Sequence, residues 1–241
     1  MNGLQFRINR LFRNKSLLLL AFDHGQFLGV PNGLKAIDPI LEKIAHEPFD
    51  GYILNPGSLH TLDNLESDKS LILRITHAGT HLSNTSVMNK YFLQPEDALR
   101  LGADAVISMV ILGHDRDMES IHELAKAVND YHRFGIPLIA EILPAAPKDF
   151  SSSKVVADIC RIGAEIGADV IKTVLTEDFE SVVSSCAVPV IVAGGKKEND
   201  FISSAASAMN SGAKGLAIGR NLYQRDNPAA FIAEIVKAMG R

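Results

Sequence analysis

Short apolar runs alternate with longer amphipathic stretches along the whole chain. Residues 17–22, 51–54, 71–75, 103–112, 138–143, 169–174, 188–193 and 215–218 are rich in Leu, Ile, Val and Ala, as buried strands are. Between them, apolar residues recur at helical spacing. Ile37, Ile40, Leu41 and Ile44 share one face of a helix predicted over 34–46; Ile121, Leu124, Val128 and Tyr131 share one face of a helix over 117–134. Further helices are expected at 58–65, 95–101, 178–185, 200–211 and 227–239, and at 152–166, where Gly167 suits a C-cap.

Strands alternating with helices argue for parallel strands joined by right-handed crossovers. With 241 residues, the natural closure is a single (β/α)8 TIM barrel, an α/β fold that commonly fills about 200–250 residues as one domain. That domain would span 1–241. An open doubly wound sheet is the alternative, but no Gly-x-Gly-x-x-Gly follows a strand. Segment 76–90 is polar and too long for a plain connection, which makes it a candidate active-site loop.

Composition narrows the picture modestly. Apolar residues make up 46% and charged residues 22%, ordinary for a soluble globular chain, and the net charge of −4 gives no reason to expect nucleic acid as a partner. Cys160 and Cys186 are too few for a disulfide framework and suit a reducing compartment. Arg7, Arg10, Arg13 and Lys15 before the 17–22 run imitate a signal peptide. The run is too short for one, however, and ends in Asp23-His24 rather than a small-residue cleavage site. No stretch approaches the about 18 apolar residues of a membrane span. A cytoplasmic protein with no membrane partner is expected.

In such a barrel the strand ends converge on one catalytic face. Asp23 and His24 end the first strand, Asn55 the second and Lys172 the sixth, while His77 follows the third and Glu141 lies in the fifth. Lys172 follows Val170 and Ile171 in a short buried run. Desolvation disfavours an ammonium, the condition under which a lysine amine attacks a carbonyl to form a Schiff base. The plainer alternative is a stem lying in the sheet with its head at the wet rim. Gly194-Gly195-Lys196 and Gly219-Arg220-Asn221 end the seventh and eighth strands, where barrels commonly hold phosphate. Glycines let the backbone approach an anion closely and Arg220 can add a bidentate contact, although Gly194 and Gly195 could equally serve a tight turn. Asp23 could equally cap the turn that follows it. His77, His81 and His114 are expected to be solvated, Cys160 to lie in the core and Cys186 to be structural. No histidine spacing suggests a metal site, and no Ser-His-Asp set is legible.

Asp23-His24-Gly25, Val170-Ile171-Lys172-Thr173, Pro189-Val-Ile-Val-Ala-Gly-Gly-Lys196 and Gly215-Leu-Ala-Ile-Gly-Arg-Asn221 occur in this order. Together they resemble the class I aldolases of the archaeal-type fructose-bisphosphate aldolase family, broadly the DeoC/LacD barrels. The resemblance covers most of the chain and is densest over 163–224. It implies a metal-independent barrel enzyme, with no cofactor, in which Lys172 is the Schiff-base lysine and Asp23 assists proton transfer. Gly194, Gly195, Gly219 and Arg220, with His24, would bind substrate and its phosphate.

Two departures stand out. The archaeal-type enzymes carry an acid/base tyrosine before a proline at the end of the fifth strand, and here Leu143 precedes Pro144. Glu141, two positions earlier on the same side of that strand, looks like the catalytic glutamate of the tagatose-bisphosphate branch. The stretch from Cys186 to Gln224 also looks like the autoinducer-2 processing thiolase branch, which uses the lysine in acyl transfer to coenzyme A.

The leading expectation is therefore cleavage or formation of a carbon–carbon bond in a phosphorylated ketose of the fructose-bisphosphate kind. Glu141 would take the hydroxyl proton and Asp23 would place the hydroxyl. The alternatives are a coenzyme A-dependent thiolase acting on a phosphorylated dione, and a phospho-ligand-binding protein without turnover. Such barrels often associate, so a homo-oligomer is expected.

Overall fold

A computed structural model describes residues 2–77, 79–82 and 90–241. Eight parallel strands close into one barrel in chain order. They are β1 (Leu17–Ala21), β2 (Gly51–Leu54), β3 (Ser70–Arg74), β4 (Ala105–Leu112), β5 (Leu138–Pro144), β6 (Val170–Thr173), β7 (Val190–Ala193) and β8 (Gly215–Ile218). The expected (β/α)8 closure is what forms, and β8 pairs back onto β1 from Leu17 opposite Gly215 to Leu20 opposite Ile218.

Successive side chains on a strand face opposite ways, so each strand serves two cores. Leu17, Leu19 and Ala21 of β1 point inward with Ile53, Ile72, Ala105, Ile107, Ile139, Val170, Ile191 and Ala217. Leu18 and Leu20 point outward and join the helix-covered layer with Leu41, Leu124, Tyr131, Ile159 and Phe231. Both faces are dry, which is why β1 reads as unbroken leucine rather than as an alternating pattern.

The outer layer follows the expected helices with shorter bounds. It comprises α3 (Asp38–Ile44), α4 (Pro95–Arg100), α5 (Asp117–His132), α6 (Ser153–Ile166), α7 (Phe179–Ser184), α8 (Phe201–Asn210) and α10 (Pro228–Ala238); α2 (Gly25–Leu28) and α9 (Arg220–Tyr223) are single turns above the barrel. The 34–46 helix starts late because Pro39 is tolerated only in a first turn. The 58–65 helix is instead the 3-10 turn Pro56–Thr61. Gly167 is left-handed, with φ of 110°, and closes α6 as its position predicted. Cys160 is in the core. His114 is not solvated: its Nε2 lies 2.9 Å from the Ile111 carbonyl and its Nδ1 accepts from the Arg116 N–H. Within the candidate loop over 76–90, Thr76 bridges Tyr91, whereas residues 78 and 83–89 lie outside the described residues. Among the described residues, no helix is long and apolar enough to cross a membrane.

Besides the short turns α2, α9 and the 3-10 turn Pro147–Ser151, one longer helix went unpredicted. The stretch that imitates a signal peptide contains the helix α1 (Gly3–Leu11), capped by the Asn2 side chain on the Gln5 N–H at 3.0 Å. Arg7 donates to the Gly135 carbonyl at 2.9 Å and Arg10 pairs with Asp104 at 3.2 Å. These basic residues clamp the helix to loops that precede β5 and β4, at the N-terminal end of the barrel. Leu11 packs with the inward residues and closes that end.

Leu11→Ala removes part of this floor, and the expected loss is about 2–5 kcal/mol of stability. Denaturant unfolding measures it, and activity per folded molecule should stay unchanged because the catalytic end of the barrel is opposite.

Candidate active site

On four of the eight strands the inward row turns from hydrocarbon to charge at its C-terminal end. Asp23 follows β1 in the series Leu17, Leu19, Ala21; Arg74 follows Ile72; Glu141 follows Ile139; Lys172 follows Val170. All four are buried, with exposures of 2% for Asp23 and Arg74, 6% for Glu141 and 5% for Lys172. Glu141 and Lys172 stand opposite each other in the β5–β6 register. The Lys172 Nζ donates to Glu141 Oε1 at 2.5 Å. Arg74 donates to the other Glu141 oxygen, and through Nε and Nη2 to Asp23 Oδ2 at 2.8 and 2.5 Å. The order is Asp23–Arg74–Glu141–Lys172, with alternating sign.

Burial alone would raise both carboxyl pKa values, but the opposing charges outweigh it. Asp23 is held below its ordinary value mainly by Arg74, with His24 and Lys172 adding to it. Glu141 is held well below the carboxylate range by Lys172 and Arg74. Both are firmly ionised.

Lys172 and Glu141 open into a cavity of about 290 Å³ also lined by His24, Phe27, Leu143, Phe150, Gly194, Gly195, Gly219 and Arg220. Seven of the eight residues expected at the site therefore border it; Asp23 sits beside it, behind His24. The His24 Nδ1 is 3.8 Å from Asp23 Oδ1. Burial pushes the His24 pKa below the ordinary value, Lys172 and Arg220 push the same way, and Asp23 and Glu141 oppose them. Gly219 has to be glycine: a Cβ there would lie 2.3 Å from His24 Cε1 and 2.8 Å from the Ala21 carbonyl oxygen. Gly195 takes φ of 63°, where side chains are disfavoured.

Two residues beside the candidate site have roles that the sequence reading missed, Arg74 altogether and Asn221 beyond its place in the Gly219-Arg220-Asn221 motif. Asn221 is fully buried; its Nδ2 donates to the Gly194 and Lys196 carbonyls at 2.6 and 2.9 Å, while its Oδ1 accepts from the Glu198 N–H at 2.9 Å. It ties the loop after β7 to the turn after β8 and so sets the two glycine segments relative to each other. Asn55 has a lesser role of the same kind, holding the Asp23 carbonyl at 2.9 Å. A period-2 count from Ile72 would have placed Arg74 inside; nothing local announces the partners of Asn221. Among the described residues, no group of three or more His, Cys, Asp or Glu is placed to hold a metal ion.

A sequence profile described as DeoC/LacD family aldolase matches residues 17–225. The chain is 34% identical to the 3-hydroxy-5-phosphonooxypentane-2,4-dione thiolase of Enterobacter sp. (strain 638), over 98% of this chain and 81% of that protein. It is also 34% identical to the thiolase of the same name from Yersinia pestis (strain Pestoides F), over 97% and 81%. Among solved structures, it is similar to an archaeal fructose-1,6-bisphosphate aldolase whose catalytic lysine is covalently bound to the carbinolamine intermediate of its substrate. The TM-score is 0.89 at 27% identity, covering 99% of each chain.

The four-charge chain predicts an acid-sensitive core. Arg74→Met leaves two buried carboxylates sharing one ammonium, and the expected loss is about 3–5 kcal/mol by urea unfolding at neutral pH. Carboxylates depressed in the folded state stabilise it above their ordinary values of 3.8 and 4.5, and that stability is lost as pH falls through the lower folded values. The wild-type midpoint should therefore hold down to about pH 5 and decline below it, and Arg74→Met should begin its decline at higher pH.

Proposed function

The chain belongs to the DeoC/LacD family of aldolases, and from that premise we propose that it is a Schiff-base-forming class I aldolase acting on a phosphorylated ketose. The observation that carries the reading is a single cavity with a buried lysine–glutamate pair on one wall and two glycine turns with Arg220 on another. The first wall suits a ketone carbon and the second a phosphate, so one small phosphoketose can touch both.

The chemistry follows from the pair. Lys172 Nζ gives up a proton and attacks the ketone carbon, and Glu141 Oε1 at 2.5 Å is placed to take that proton. The same proton leaves with the carbinolamine hydroxyl as water, and an iminium remains on Lys172. Its positive charge sits at the nitrogen where the ammonium charge was, still facing Glu141, so the carboxylate stabilises the intermediate without rearranging. When the proton of the hydroxyl on the far carbon of the scissile bond is removed, that oxygen becomes the carbonyl of a departing aldehyde and the bonding pair moves to the iminium. Protonation of the enamine carbon and hydrolysis release the second product and the amine. Binding of the phosphate near Gly194, Gly195, Gly219 and Arg220 supplies energy to hold the carbonyl at the amine.

A second reading has its own support. The Enterobacter and Yersinia relatives are named thiolases, and Leu143 gives the cavity an apolar wall where an aldolase of the archaeal type would have its tyrosine. On this reading Lys172 would serve acyl transfer from a phosphorylated dione to coenzyme A.

Borohydride reduction in the presence of fructose 1,6-bisphosphate or dihydroxyacetone phosphate should attach the substrate skeleton to Lys172, located by peptide mass spectrometry, and Lys172→Met should abolish both attachment and turnover. Attachment at another residue, or none with either compound, would sink the aldolase reading. Consumption of a phosphorylated dione only when coenzyme A is added would favour the thiolase, and calorimetric binding of phosphate esters without any turnover would leave a ligand-binding protein.

A further inference from the structure

The aldolase reading needs a base for the substrate hydroxyl and an acid for the enamine carbon, and Glu141 is poorly placed for either. Its two oxygens are taken by Lys172 and Arg74, and both stay engaged there when the charge on Lys172 Nζ passes to the iminium, so neither is free for the substrate hydroxyl. Asp23 does not border the cavity, and Oδ2 is occupied by Arg74. Leu143 has no proton to move. Among the described residues that line the cavity, His24 is the one imidazole, a group that can both accept and return a proton.

We propose that His24 is the proton-transfer residue at carbon, with Asp23 as the residue that positions it. The inference rests on the aldolase reading. Its geometry is that of an aspartate–histidine pair: Asp23 is fixed by Arg74 through Oδ2 and presents Oδ1 to the His24 Nδ1 at 3.8 Å. Among the described residues that buried nitrogen has no hydrogen-bond partner, and the ring borders the cavity that holds Lys172. With the Nδ1 proton turned to Asp23, Nε2 carries the lone pair offered to the substrate. Such contacts are commonly long before substrate binds and tighten in the complex.

The ring is also held in place. Phe27 packs on it at 5.6 Å between ring centroids and Tyr223 at 5.5 Å, edge-on. Gly219 makes room for it, as the short distance from a Cβ shows. The charged and titratable groups facing it are Asp23 on its own turn, Glu141 from β5, Lys172 from β6, and Arg220 and Tyr223 from α9. Burial pushes the Tyr223 phenol up to about 12, so it stays neutral and contributes no charge. Burial of the imidazole together with the two cations keeps His24 neutral at pH 7, the form a base requires.

The step balances on this one nitrogen. The substrate O–H bond breaks and its proton passes to Nε2; the oxygen becomes the carbonyl of the departing aldehyde. The pair from the broken carbon–carbon bond reduces the iminium to an enamine. The imidazolium then returns the proton to the enamine carbon, and the second product leaves when water hydrolyses the iminium.

Two partial reactions separate this proposal from the reading beneath it. Dihydroxyacetone phosphate alone should form the borohydride-trapped adduct on Lys172 and should exchange an α-hydrogen with deuterated water. His24→Gln should keep trapping at the wild-type level, which also reports an intact fold, while exchange and cleavage fall by about 10²–10⁴-fold. The wild-type cleavage rate should decline on the acid side, below the ordinary histidine value of about 6.5, because protonation disables the base, and His24→Gln should lose that decline. Imidazole added to His24→Ala should restore part of the exchange. Undiminished exchange in His24→Gln, an unchanged acid limb, or loss of trapping in that variant would overturn the role of His24. Absence of trapping in the wild type would instead overturn the aldolase reading, and this proposal with it.

Discussion

Four charges share the interior of a barrel that is otherwise hydrocarbon, and they can stay there because there are two of each sign in alternating order. An unpaired ion in such surroundings would be strongly destabilising. Asp23, Arg74, Glu141 and Lys172 stand at or just beyond the ends of four different strands; Glu141 and Lys172 meet through the β5–β6 pairing alone, whereas Arg74 joins β3 to β1 and β5 across the barrel. The rows beneath them, from Leu17 to Ile191, are mainly Leu, Ile, Val and Ala. This dry floor keeps water from the buried pair and makes each charge matter to its neighbour.

That arrangement bears on chemistry through the identity of the charges rather than their number. On the proposed reading, an iminium on Lys172 would place its charge at the nitrogen that now donates to Glu141, so the carboxylate would face the same position before and after the covalent step. Arg74 holds Glu141 and Asp23 in fixed orientation and takes no part that requires it to lose a proton. The phosphate-facing wall is organised separately. Asn221 binds the carbonyls of Gly194 and Lys196, and Gly219 admits His24. Displacing Asn221 would therefore alter the spacing of both turns with no change to the charged chain.

Most of the fold was legible because it depends on local pattern. The eight apolar runs mark strands whose two faces are both buried, and the helical faces at 34–46 and 117–134 differ from the structure chiefly at their ends, where Pro39 and capping set the boundary. What escaped depends on distant partners. Helix α1 carries Arg7 and Arg10, which read as a charged flank until Gly135 and Asp104 are seen beneath them. Arg74 is separated from Asp23 by 51 residues and from Glu141 by 67, so only the alternation of its own strand hinted that it points inward. Lys172 carried the same hint and was noticed because an amine has chemistry of its own. The glycines were legible as turns, whereas the reason Gly219 must be one, the His24 ring beside it, exists only in three dimensions.

Leu143 gives the site its asymmetry. β1 and β5 stand four strands apart in a ring of eight, so their ends face each other across the cavity. An acid/base group at the end of β5 would act on the substrate from that side, and with leucine there the β5 end offers only an apolar surface and the glutamate committed to Lys172. His24 lies at the end of β1, on the far wall. On the proposed aldolase reading, proton transfer at nitrogen and proton transfer at carbon would then be handled from opposite sides of the substrate, each by a carboxylate fixed by Arg74: Glu141 directly, and Asp23 through an imidazole. One arginine that touches no substrate would thereby set the geometry of both proton transfers, which gives its burial a chemical reason as well as a structural one.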